Sequence, residues 1–141
     1  MNPIRRLLLG SGRFPAEVGD QLRTEGVEVL DEGRPGSITY RDYRAPGKRF
    51  TLRKVAVNGA VALTSRRVIV WYGRQRQVDI PVDDPLLGEL SVGLDQPDRI
   101  CLSYAAEAFH ADRSGTLEVR LTTDHAQRLL DRLTALGARA A

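Results

Sequence analysis

The chemistry within this chain's reach rests on arginine. Nineteen of its twenty-one basic residues are Arg, and eleven basic residues fall between positions 34 and 76, where Asp42 is the sole acid. That segment carries +10, against −2 for residues 1–33 and −5 for residues 77–141, so a net charge of +3 hides a field with a direction. Guanidinium groups take phosphate or carboxylate oxygens bidentately, although a GC-rich genome produces the same preference for Arg. The densest part is a strand pair, Ile38–Arg44 and Lys48–Arg53, around a three-residue loop Ala45-Pro46-Gly47. In that register Arg44 faces Lys48, Tyr43 faces Arg49, Arg41 faces Thr51 and Thr39 faces Arg53. Period two then puts Arg41, Tyr43, Arg49 and Arg53 on one face and Tyr40 and Leu52 on the other. Like charges so close repel unless an anion or water lies between them. Arg41, Arg44, Lys48, Arg49 and Arg53 are therefore the candidates for gripping an anionic headgroup or phosphate. The alternative is a solvated outer face balanced by acids from residues 77–141.

No catalytic set is legible. His110 and His125 are the only histidines, and the single Cys101 lies far from both, which does not make a metal ligand set. Cys101 reads as a small apolar side chain on a strand, since no neighbour in sequence would lower its pKa. Asp83-Asp84 precedes Pro85 and reads as turn initiation. Gly10-Ser11-Gly12-Arg13 lacks the Lys-Ser/Thr of a phosphate-cradling loop. Neither a cofactor nor a metal is implied.

The elements that must position these residues follow from periodicity. A short helix over 15–25 opens with Pro15 and stops at Gly26. Eight or nine short strands over 27–122 come next, joined mostly by tight turns. Asn58-Gly59 lies between Val55-Ala56-Val57 and Ala60-Val61-Ala62-Leu63, and predicts a two-residue hairpin with both residues at positive φ. A closing helix over 123–136, capped by Thr122 or Thr123 and stopped by Gly137, has an apolar stripe of Ala126, Leu129, Leu130, Leu133 and Leu136. The expected fold class is mainly β: an antiparallel, strongly bent sheet or partial barrel, capped by the C-terminal helix and preceded by a short N-terminal one. Residues 1–14 are expected as an arm, 15–137 as one domain and 138–141 as a tail. A chain of 141 residues can bury roughly 68–70% of its unfolded surface, so it folds without disulfides. The opening apolar run is too short for a secretory core or a membrane span, and with one cysteine the expectation is a cytoplasmic protein.

Gly59-Ala60-Val61-Ala62-Leu63-Thr64-Ser65-Arg66-Arg67-Val68-Ile69-Val70 resembles the G-x-V-x-L-T-x-x-R stretch of bacterial pleckstrin-homology-like and GRAM-like domains. The resemblance covers residues 25–137 and implies that Leu63-Thr64 ends one strand and Arg67 starts the next. It also implies a binding module, for phosphoinositides in some members and for proteins in others, with the early basic hairpin as the headgroup site. The N-terminal helix and the connection from Ala105 to Ser114 depart from the family pattern.

A second surface competes with the basic one. Val55, Val57, Ile69 and Trp71 have the opposite parity to Leu52, Val68, Val70 and Tyr72, so both sheet faces are apolar. The N-terminal helix, through Val18 and Leu22, or a second copy of the chain must cover the outer one. The first expectation is a non-enzymatic interaction module contacting a protein partner or itself. The alternative is a peripheral binder of anionic lipid headgroups at the membrane. Nucleic-acid binding rests on charge alone and comes third.

Overall fold

Two long strands organise the molecule. The computed structural model describes residues 10–73 and 75–141, with backbone alone at 75–77. The first nine residues of the expected arm and Arg74 lie outside the described residues. β1 (Val27–Ala45) and β2 (Lys48–Thr64) pair antiparallel as one ribbon. The loop between them has two residues, Pro46 and Gly47, with Gly47 at φ 73°. Pairing therefore begins at Ala45–Lys48, one residue away from the expected register. Arg44 faces Arg49, Tyr43 faces Phe50, Arg41 faces Leu52 and Tyr40 faces Arg53.

Asn58-Gly59 is no hairpin: both residues sit mid-strand in β2, and Gly59 has no positive φ. Long-range contacts override the local turn preference. A Cβ on Gly59 would come within 2.8 Å of the Tyr72 ring, so glycine is needed there for close approach. Asn58 is fully buried; its Nδ2 donates to the Gly10 carbonyl at 2.9 Å and its own carbonyl accepts from the Gly73 amide at 3.2 Å. The described end of the arm is thus held against β2, with Phe14 in the core.

The remaining strands are β3 (Arg67–Tyr72), β4 (Gln75–Pro81), β5 (Ser91–Gln96), β6 (Arg99–Ala105), β7 (Ser114–Thr122) and β8 (Arg139–Ala140). The order β4-β3-β2-β1-β7-β6-β5-β8 makes one eight-stranded, strongly curled half-barrel, antiparallel except where β8 runs parallel to β5. β8 occupies the expected tail. The mainly-β expectation with two flanking helices is met. The helices are α1 (Ala16–Arg23), a single turn α2 (Ala106–Phe109) and α3 (Ala126–Leu136). The inner face packs its apolar alternates, such as Val61, Leu63, Val70, Ile100 and Val119, into the main core. α3 plugs that core with Ala126, Leu129 and Leu133, all fully buried. Before its first turn, Thr123 Oγ1 accepts from the His125 amide at 3.2 Å and donates to Asp31 at 2.7 Å. Gly137, at φ 124°, ends the helix.

The outer face has its own cover. Ala60, Ala62 and Ile69 form a second cluster with Leu22 and Phe14, and Val18 and Trp71 pack at its margin. The N-terminal helix, not a second chain, covers this end. As the Leu-Thr-x-x-Arg stretch implies, β2 ends at Thr64 and β3 starts at Arg67. Thr64 Oγ1 accepts the amides of Arg66 and Arg67, both at 3.1 Å, which tightens the turn. Arg67 lies between Glu25 (3.1 Å) and Asp79 (3.0 Å), so the turn is clamped to the residues that follow α1.

Candidate functional site

At the far end of the ribbon the backbone departs from a regular ladder. Asp42 takes φ 48°, a conformation that Asp tolerates better than most side chains. The β1–β7 register shifts between Arg41 and Arg44, and the β1–β2 ladder skips Asp42 and Thr51. Gly115 on β7 allows this, since a Cβ there would lie 2.5 Å from the Asp42 carbonyl oxygen. The consequence is that Tyr40 and Tyr43, three residues apart, share a face. Their rings meet edge-on at 4.9 Å, and Phe50 stacks on Tyr43 at 6.1 Å. The Arg53 guanidinium sits 4.9 Å above the Phe50 ring, a cation–π contact. The expected division, with Tyr43 beside Arg41 and Tyr40 beside Leu52, fails because strict alternation stops at Asp42.

These aromatics line a cleft of about 500 Å³ at the mouth of the half-barrel, between the ribbon tip and the β6–β7 connection. Lys48, Arg53 and Arg113 bring three cations to it and Asp112 one acid. The Nε of Arg113 is shut off from solvent without a hydrogen-bond partner, and Asp112 stands 3.7 Å away. Burial raises the pKa of Tyr40, so its hydroxyl stays protonated and able to donate at neutral pH. An aromatic floor under converging cations suits a ligand with anionic oxygens and a flat or apolar body.

The five candidate cations separate. Lys48 and Arg53 reach the cleft. Arg44 and Arg49 oppose each other at the tip, exposed, with no carboxylate in ion-pair range among the described residues. Arg41 is withdrawn: it points to the outer face and pairs with Glu118, which also binds Arg120 at 3.1 Å. Arg120 in turn reaches Asp95 at 2.5 Å. Hydrogen bonding from Arg41, followed by that from Arg120, holds the Glu118 carboxyl below its ordinary range against the opposing effect of burial. Arg113 and the Tyr40–Tyr43–Phe50 cluster were not among the candidates. A signal for the tyrosines existed in their density near the loop, but the bulge that aligns them has no sequence signature. Arg113 lies between β6 and β7, in the connection from Ala105 to Ser114 that carries no motif in sequence.

The proposed self-association face does not exist as one surface. Val55 and Val57 lie on the inner side, Val55 in the cleft wall and Val57 against the main core. Ile69 and Trp71 lie on the outer side under α1, because they pair with Ala62 and Ala60 and not with the odd-numbered positions of β2. Cys101 is half-buried on the outer face, and burial pushes its thiol pKa up. His110 is held below its ordinary value by burial first and Arg113 second. Among the described residues no group of three His, Cys, Asp or Glu could hold a metal ion, and no helix is long and apolar enough to cross a membrane. Asp84 caps the short 3₁₀ turn Pro85–Glu89 by accepting from the Leu86 amide at 2.9 Å, which accounts for one member of the acidic pair. In comparisons with known proteins, no family description and no curated sequence matches this chain.

Proposed function

We propose that this chain is a non-enzymatic interaction module of pleckstrin-homology-like build, and that the ribbon tip docks an acidic, extended segment of a protein partner. The observation that carries this is the open edge of β2. β2 pairs with β3 only from Gly59 to Leu63, so over residues 48–56 its second edge has no strand partner among the described residues. Backbone groups on such an edge accept an added strand. The side chains along it include Lys48, Arg49, Arg53 and Lys54, all exposed. Their charge disfavours a second copy of the same edge and favours a strand rich in Asp and Glu. The aromatic cleft would receive an inward-facing side chain of that strand. The strand order, the closing helix and the Thr64–Arg67 turn support the pleckstrin-homology-like build.

The test is titration with a short Glu-rich peptide of high β-propensity, following backbone amide resonances. Residues 48–56 should shift together, and the triple variant Lys48→Glu, Arg49→Glu, Arg53→Glu should abolish the effect. Shifts scattered over the surface, or unchanged binding by the variant, would refute the docking mode. The second reading, an anionic lipid headgroup, is favoured by Lys48, Arg53 and Arg113 around one cleft. Co-sedimentation with phosphatidylserine vesicles, steeply weakened by salt, together with silence toward the peptide, would select it. Binding to duplex DNA of any sequence would select the third.

A further inference from the structure

We propose that a second cleft, on the outer face of the half-barrel between the middle of β2 and the start of β6, binds a phosphate-class oxyanion. Strand alternation builds it. Ser37 pairs with Ala56, Thr39 with Lys54 and Arg99 with Thr122, which brings Ser37, Lys54, Ala56, Arg99 and Thr122 to one face. They border a cleft of about 500 Å³ whose lining holds two cations, Lys54 and Arg99, and no acid. Elsewhere on this face cations meet carboxylates: Arg41 meets Glu118, and Arg120 meets Glu118 and Asp95. Among the described residues Lys54 and Arg99 have no such partner.

Arg99 supplies the second observation. Its Nη2 makes one long contact, 3.4 Å, to the Ser37 hydroxyl, and its Nε is closed to solvent with no hydrogen-bond partner. A buried charged donor left unsatisfied is costly, so the site is short of an acceptor. The small side chain of Ala56 leaves the room, and Ser37, itself buried, offers a hydroxyl that can donate. A tetrahedral dianion presents enough oxygens to meet a guanidinium, an ammonium and a hydroxyl at once, which a single carboxylate does less well. Free phosphate and the monoester of a small molecule share this chemistry.

The experiment compares inorganic phosphate with chloride at equal ionic strength, and adds glycerol phosphate as a monoester. Phosphate should raise the denaturation midpoint by binding the folded state and should shift the Arg99 Nε–H resonance. Arg99→Gln and Lys54→Gln should each weaken phosphate binding by about tenfold or more, the worth of a charge-assisted hydrogen bond. The pair Lys48→Glu, Arg49→Glu at the tip should leave it intact, which separates this site from the peptide edge. Glycerol phosphate binding as tightly as phosphate would identify the monoester as the source, and its exclusion would identify the free ion. Equal stabilisation by chloride, or undiminished binding by Lys54→Gln, would overturn the proposal. Should Arg99→Gln fail to fold, the exposed Lys54 variant and the Arg99 resonance decide.

Discussion

The two ends of the β1–β2 ribbon are made of the same strands and share an Arg-rich composition, yet they are opposites. At the end near α1, β2 residues 60–64 are buried, and Arg67 is held between two carboxylates. At the tip, Arg44, Lys48, Arg49 and Arg53 are exposed, and Leu52 is 63% exposed. The difference lies in what the rest of the chain brings to each end. α1 covers one and Glu25, just past it, neutralises Arg67 there, while β7 and the Asp112–Arg113 connection border the other without covering it. One end is closed by the rest of the chain, and the other stays exposed.

The sharpest break between the ends should come from leucine truncation. Leu133→Ala in the plug of the half-barrel and Leu22→Ala beneath α1 remove side chains that are fully buried. Each should cost about 2–5 kcal/mol in chemical denaturation. Leu52→Ala at the tip should change stability by no more than about 0.5 kcal/mol. A midpoint for Leu22→Ala equal to wild type would mean that α1 does not hold its end closed.

Next in size is Glu25→Ala. Glu25 is 7% exposed and accepts from both Arg67 and Thr64. Its loss leaves the Arg67 guanidinium with Asp79 alone and should cost about 1–3 kcal/mol. Arg49→Glu should act in the other direction, because a carboxylate opposite Arg44 replaces a like-charge pair. The expected gain is about 0.2–1 kcal/mol, read as a higher thermal midpoint. A loss of stability there would show that Arg49 has a structural partner.

What was legible in the sequence was local or periodic. Gly137 stops its helix at positive φ, Gly26 takes positive φ three residues beyond an α1 that already ends at Arg23, and Thr64–Arg67 makes the turn expected of it. In the apolar stripe of α3, Ala126, Leu129 and Leu133 are buried and Leu130 and Leu136 pack partly buried against the core. What was not legible depended on distant partners. Asn58-Gly59 has the strongest local hairpin preference in the chain, but the Tyr72 ring and the Gly10 carbonyl hold it straight. Arg41 looked like any other cation of the tip until Glu118, 77 residues away, took it. The Asp42 bulge changed which side chains share a face, and with that the composition of the cleft. Charge segregation in sequence was thus a fair guide to where cations lie and a poor one to which of them stay free.

The smallest expected effect tests that last distinction through pH. Arg41 leads the interactions that hold the Glu118 carboxyl below its ordinary value. A carboxyl depressed in the folded state contributes stability that is fully present above its unfolded pKa, about 4.3, and is lost as pH falls through the lower folded value. Arg41→Gln removes the first donor and leaves Arg120. The thermal midpoint of this variant should therefore lie slightly below wild type at neutral pH, and the gap should close as the solution is taken below pH 4. The gap is small because the Arg41 side chain is 53% exposed and solvent screens the pair. Arg49→Gln is the control from the tip. With no carboxylate in range among the described residues, its difference from wild type should not change with pH over the same window. An acid-sensitive gap for Arg49→Gln, matching that of Arg41→Gln, would mean that both ribbon cations are neutralised alike. The contrast between a spent outer-face arginine and a free tip arginine would then fail.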